Sequence, residues 1–139
     1  MMALAFFDTS VLIYADDTAN PAKQTKAISL IAAHQKEGAL VVSLQVLQEY
    51  YAAATRKLGV DAGIAQNKVE LLARGRVVRF TGRDIIAAIE LHRLRQISFW
   101  DAMIVYAART ANARVLYSED MADGSALGGV TVRNPFAGT

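Results

Sequence analysis

The feature that most constrains this chain is an alternation: short runs of strand type are separated by longer stretches with helical patterning. "ALAFF" (3–7), "ALVVS" (39–43), "RVVRFT" (76–81), "RVLYS" (114–118) and "VTVRN" (130–134) read as strands, four of them rich in β-branched or aromatic residues. Helices fill the gaps between them. Asn20-Pro21 fits an N-cap followed by proline at the first helical position, opening a helix to about His34 that Gly38 then stops. Ser43 can cap a helix with Leu47, Tyr50, Tyr51, Ala54 and Leu58 at 3–4 spacing, a stripe that reads as core, and Gly59 ends it. Asp61 can cap the next, to about Ala73. Thr81 and Asp84 resemble a capping box ahead of Ile85, Ile86, Ile89 and Leu94, and Ser98 opens a last helix to about Ala111.

Strands separated by helices imply βαβ units and a parallel sheet covered on both faces. The expected fold is therefore α/β: a three-layer α/β/α sandwich around a central, mostly parallel sheet of four to five strands. At 139 residues, one domain over 1–139 is expected, large enough to bury about two thirds of its unfolded surface. The segment "EDMADGSALGG" (119–129) reads as the one long loop, and it directly follows a strand, where such folds keep function.

Composition excludes several chemistries. The chain has no cysteine, which removes disulfides, zinc–thiolate sites and cysteine nucleophiles together and suits a reducing cytoplasm. His34 and His92 are its only imidazoles, and both read as residues on the polar part of a helix, so no histidine-based zinc site is expected. "MMALAFF" lacks a basic leading region and is broken by Asp8, so no signal peptide is expected; no apolar run approaches the ~18 residues of a membrane span, so no membrane partner is expected either. The formal charge is +2, and ten of the fifteen basic residues are arginine, whose planar fork suits phosphate.

The acidic residues can now be placed. Asp8 immediately follows the first strand and Asp120 lies two residues beyond the "RVLYS" strand, so both belong at the carboxyl edge of the sheet, where ligands bind in open α/β folds. Helices in right-handed βαβ units begin at that same edge, which brings in Glu49, in the second turn after Ser43, and Asp101, in the first turn after Ser98. Each has an ordinary alternative: Asp8 as the cap of the "SVLIYA" helix, Asp101 as half of a capping box with Ser98, Asp120 in a turn, Glu49 as a solvated helix residue. Together, four carboxylates far apart in sequence are expected to meet.

Clustered carboxylates without histidine or cysteine select hard, oxygen-loving cations, chiefly Mg²⁺ or Mn²⁺. Such an ion, or a pair ~4 Å apart, can activate water and orient a phosphodiester without a histidine base. Phosphodiester hydrolysis fits the residues available.

"FFDTSVLIY" at the N-terminal end, "SLQVLQEY" at 43–50, "ISFWDAMIVYAA" at 97–108, "VLYSED" at 115–120 and "VRNPF" at 132–136 together resemble a PIN-domain protein, specifically the VapC-type toxins of VapBC toxin–antitoxin modules. The resemblance spans nearly the whole chain. It implies a Mg²⁺- or Mn²⁺-dependent endoribonuclease acting on RNA, a cognate antitoxin that occupies the groove, and a homodimer. The family's four acidic positions fall on Asp8, Glu49, Asp101 and Asp120, with Asp8 and Asp101 as the direct metal ligands. Thr9 or Ser10, and Ser118, match supporting hydroxyl positions. The chain departs from the family pattern at Ser10, where many members carry asparagine, and in the spacing of Asp120 and Asp123; Glu119 and Asp123 read as loop charges, with support of the site as the alternative. Arg56, Arg93 and Arg95 are candidate phosphate contacts.

Two other classes share parts of this pattern. A phosphoacceptor receiver domain also gathers aspartates at the sheet edge but needs a late lysine, and the last lysine here is Lys68. The alternative to the nuclease is a PIN fold used only as an RNA- or protein-binding module, its metal site vestigial.

Overall fold

The computed structural model describes residues 2–139. Along the chain come β1 (Ala5–Phe7), α1 (Thr9–Tyr14), α2 (Pro21–Lys36), β2 (Leu40–Ser43), α3 (Leu44–Lys57), α4 (Ala62–Ala73), β3 (Arg76–Val78), α5 (Gly82–Arg95), α6 (Phe99–Thr110), β4 (Val115–Tyr117), β5 (Ala126–Leu127) and β6 (Val130–Arg133). The strands form one sheet in the order β3-β2-β1-β4-β6-β5, parallel except for β5 against β6.

The order explains the layers. The chain steps outward from β1 to β2 to β3, then crosses back to β4 on the other side of β1. Right-handed crossovers taken in opposite directions put their helices on opposite faces, so α1 to α4 cover one face while α5 and α6 cover the other. Packing agrees: α1 touches α2 and α3, α3 touches α4, and α5 lies on α6, which reaches β2, β4 and β6.

β1 is central and hydrogen-bonded on both sides. All three of its residues are buried, and Phe6 and Phe7, fully enclosed, each contribute on the order of 1.5–3 kcal/mol. The core spreads from there through Val41, Val42, Val46, Tyr50, Val105 and Leu116.

Local signals decide most helix ends. Ser43 accepts from the Val46 N–H, Asp61 from the Gly63 N–H, and Thr81 with Asp84 forms a complete capping box. Asn20 is different. Its backbone (φ −125°, ψ 73°) is not the extended conformation of a capping residue, so its side chain makes no cap and instead donates to Asp17 Oδ2 at 2.7 Å.

The sheet has one strand more than expected. β5 lies inside the segment read as a long loop, and the two glycines 128 and 129 turn it into β6 with positive φ at both, as a two-residue hairpin demands. His34 also corrects its reading as a polar-face residue: it is buried, its Nδ1 sits 2.9 Å from Leu30 O, and its ring packs edge-on against Phe7 and Tyr117. In the stripe read as core, Tyr50 and Ala54 are fully enclosed, but Tyr51 is 41% exposed. On α5 it is Ala88 and Leu91 that face inward, while Ile85, Ile86, Ile89 and Leu94 are exposed. No helix among the described residues is long and apolar enough to cross a membrane.

Candidate metal centre and groove

The sheet reverses direction at β1, between β2 and β4. A cleft opens there at the carboxyl ends of the strands, as it does in open α/β sheets generally. It encloses about 560 Å³ and is lined by Asp8, Glu49, Asp101 and Asp120, four carboxylates from four separate segments.

Asp8 occupies the step from β1 into α1. Its backbone N–H donates to Tyr117 O at 3.0 Å, continuing the β1–β4 ladder one residue past the strand. The residue is 6% exposed, and its side chain accepts two hydrogen bonds of 2.7 Å, from the Thr9 N–H to Oδ1 and from Ser118 Oγ to Oδ2. It thus caps α1 and forms part of the site at once. Burial pushes this carboxyl up to about 6; the Ser118 and Thr9 hydrogen bonds oppose that rise, and the charges of Asp120 and Glu49 add to it.

Ser118 ties the two ends together. While donating to Asp8, its oxygen accepts from the Asp120 N–H at 3.1 Å, which sets the backbone that carries Asp120. Asp120 is itself held above the ordinary carboxylate range, first by burial and then by the charges of Glu119, Asp101 and Glu49. On the α3 wall, Glu49 accepts from Thr9 Oγ1 at 2.8 Å and from Gln45 Nε2 at 3.4 Å. Ser10 lines the cleft and accepts from the Glu119 N–H at 3.3 Å.

Asp101 shows which half of its capping box is used. Its N–H donates to Ser98 Oγ at 3.0 Å, but its carboxylate accepts no hydrogen bond from any described residue, unlike Asp84, which completes the box at Thr81. The freed carboxylate lines the cleft instead.

Among the described residues, no lysine, arginine or histidine pairs with any of the four acids; the two ion pairs are Lys23–Glu119 and Lys68–Asp16. Nor do three acidic or imidazole side chains stand around one point closely enough to hold an ion among themselves. The convergence is therefore looser than a closed cage. That donor set, all oxygen and uncompensated, fits a Mg²⁺-like ion, which takes one or two carboxylates and fills its shell with water and substrate phosphate.

The cleft also contains residues not singled out from the sequence: Gln45, Lys57 and Trp100 line it. Among the candidate phosphate contacts, Arg56 lines it beside Lys57, whereas Arg93 and Arg95 are exposed in the last turn of α5 and do not reach it. Asp123 accepts from the Asn134 N–H at 2.8 Å, a loop brace as read. Glu119 does more than an ordinary loop charge: it borders the cleft and accepts from Lys23 Nζ at 2.6 Å and Tyr14 Oη at 2.8 Å. Burial raises Glu119, yet those two partners outweigh it and hold the carboxyl below its ordinary value.

The chain belongs to the PIN domain family, whose profile matches residues 5–122. Among solved structures it is similar to VapC20 of Mycobacterium tuberculosis, described as a sarcin-ricin loop cleaving toxin. The identity is 28%, over 84% of this chain and 89% of that one, with a TM-score of 0.67. It shares its fold with a toxin–antitoxin complex from Klebsiella pneumoniae (19% identity, 95% and 98% coverage, TM-score 0.66). The same holds for VapBC2 from Rickettsia felis bound to a promoter DNA fragment (18%, 94% and 98%, 0.66). No curated protein matches the chain significantly.

Proposed function

We propose that this protein is a Mg²⁺- or Mn²⁺-dependent endoribonuclease and the toxin of a type II toxin–antitoxin pair. The observation that carries the reading is the cleft at the β1 switch point, where Asp8, Glu49, Asp101 and Asp120 gather with no ion-pair partner among the described residues. Membership of the PIN family supports it, as does likeness to a protein described as a sarcin-ricin loop cleaving toxin.

Asp8 and Asp101 would hold the metal, which when bound supplies charge neutralisation at the phosphate and a more acidic water. Around it the chain's own groups divide the work. Thr9 and Ser118 fix Glu49 and Asp8 through their hydroxyls. Asp120, held above the ordinary carboxylate range by burial and by its neighbours' charges, takes the proton of the attacking water, and Glu49, which lines the same cleft, orients that water. Arg56 and Lys57 bind flanking phosphates. The cognate antitoxin covers the same cleft, and the exposed isoleucines of α5 favour a homodimer. An intracellular RNA substrate fits a cytoplasmic protein, read as a single domain over 1–139.

The test is cleavage of total RNA by purified, partner-free protein under Mg²⁺, Mn²⁺ or chelator, beside Asp101→Asn. Metal-dependent cleavage lost in the variant is expected; no cleavage with metal, or cleavage unchanged in the variant, overturns the mechanism. For the toxin assignment, expression should arrest growth and a small upstream reading frame should encode a protein that relieves the arrest. A binding module with a vestigial site would hold RNA or protein and cut nothing.

A further inference from the structure

Trp100 is the chain's only tryptophan, and at 61% exposure it is the most exposed aromatic side chain of the described residues. It lies next to Asp101 in the first turn of α6 and lines the same cleft as the four acids. A large indole left in water forfeits burial that a side chain of this size ordinarily secures. Its placement is nonetheless rigid. Ser98 caps the helix that carries it, and Phe99 packs against it with ring centroids 5.0 Å apart and planes at 65°. Phe99 is in turn backed edge-on by His92 at 6.5 Å.

Other parts of the cleft indicate what the ring would meet. On the α3 wall, Ala52 and Ala53 leave room, and Arg56 and Lys57 follow one turn further along. An aromatic face, two cations and a carboxylate cluster within one cleft match the three parts of a single-stranded nucleic acid: base, flanking phosphate and reacting phosphodiester. Bases free of a duplex are the ones that splay onto aromatic side chains in RNA recognition.

We propose that Trp100 is a stacking platform for an unpaired base of single-stranded RNA next to the carboxylate cluster that includes Asp101, so that the cleft selects unpaired segments. This rests on the ribonuclease reading above, but it fails or stands by different measurements.

The sole tryptophan makes its emission a direct reporter. Asp8→Asn protein, in which turnover is expected to stop while Trp100, Arg56 and Lys57 remain in the cleft, is titrated with a fluorescently labelled single-stranded RNA hexamer, following tryptophan emission and the label's anisotropy together. Saturable quenching with the same midpoint as the anisotropy change is expected, while a duplex of the same sequence leaves emission unmoved. In protein with Asp8 restored, Trp100→Leu should raise KM for RNA by about 5- to 100-fold with little change in kcat, and Trp100→Phe should recover most of the loss. Circular dichroism of each variant checks the fold.

Emission that stays constant while the hexamer binds overturns the proposal, and so does equal quenching by duplex. An unaltered KM in a folded Trp100→Leu protein does the same. So does emission that shifts with the protein's own concentration in step with dimerisation, or on binding of a protein partner but not of RNA. RNA cleavage with silent emission leaves the nuclease reading standing; quenching without any cleavage by the unmutated protein leaves the stacking platform standing and removes the nuclease.

Discussion

Ser118 Oγ donates to Asp8 Oδ2 across 2.7 Å, joining residues 110 positions apart at the carboxyl ends of neighbouring strands. The same oxygen accepts from the Asp120 N–H. Removing it strips one donor from a buried carboxylate and one acceptor from the loop. Ser118→Ala is expected to destabilise the fold by about 1–3 kcal/mol, measured by urea unfolding, and to weaken Mn²⁺ binding in calorimetry. Unchanged stability and unchanged metal affinity would show that the contact has no such role.

Asp8 trades stability for function. Its carboxyl is raised from 3.8 to about 6 in the folded chain by burial, so the folded state holds the proton more tightly than the unfolded state. The metal-free protein is therefore unpenalised below about pH 4, loses stability as pH rises from about 4 to 6, and carries the full cost above that, on the order of 3 kcal/mol. Asp8→Asn should be more stable than the parent at pH 8 without metal, show little of this pH dependence, and cut no RNA. Thermal melts across pH 4–8 in chelator provide the check.

Asp101 should behave differently, because its carboxylate caps nothing. Asp101→Asn is expected to change stability by no more than about 0.5 kcal/mol, while metal-dependent cleavage falls by at least about 100-fold. A large loss of stability would mean that the side chain braces the helix start after all.

The Lys23–Glu119–Tyr14 cluster holds the strand end that carries Asp120. The pair is part-exposed and screened by water, so Lys23→Met should leave the melting temperature little changed. Loosening the loop should still slow cleavage by about 3- to 10-fold through misplacement of Asp120. Full activity in Lys23→Arg, which keeps the charge but not the geometry of the contact, would point to charge rather than placement.

Gly128 tests the β5–β6 hairpin. It has φ of +63°, and a Cβ there would come within 2.5 Å of Arg109 Nε. Gly128→Ala should cost about 1–2 kcal/mol from the left-handed backbone alone, read as a lower melting temperature, and Arg109→Ala should relieve only the steric part.

Much of this architecture was legible because it depends on local chemistry. Ser43, Asp61 and the Thr81–Asp84 box cap helices where their types and spacing say they should. The apolar run ahead of Asp8 marks a buried strand, and the edge rule then sends Asp8, Asp120, Glu49 and Asp101 toward one cleft. The Gly128-Gly129 turn was equally local, and it marks the hairpin that a reading of 119–129 as plain loop passes over.

The rest depended on neighbours that sequence spacing cannot supply. Nothing local makes His34 a core residue: Phe7 and Tyr117, from two different strands, enclose it. Whether Asp101 completes a box or leaves its carboxylate free is a choice of rotamer made in the presence of the cleft. Lys23 reaches Glu119 across 96 residues, and Trp100 stays in water because no other element among the described residues covers it. The sequence by itself determined most of the elements, the caps at Ser43, Asp61, Thr81 and Ser98, and the edge at which the acids gather. Only the tertiary structure decided how close they come and what each one touches, because long-range contacts depend on strand order and helix packing.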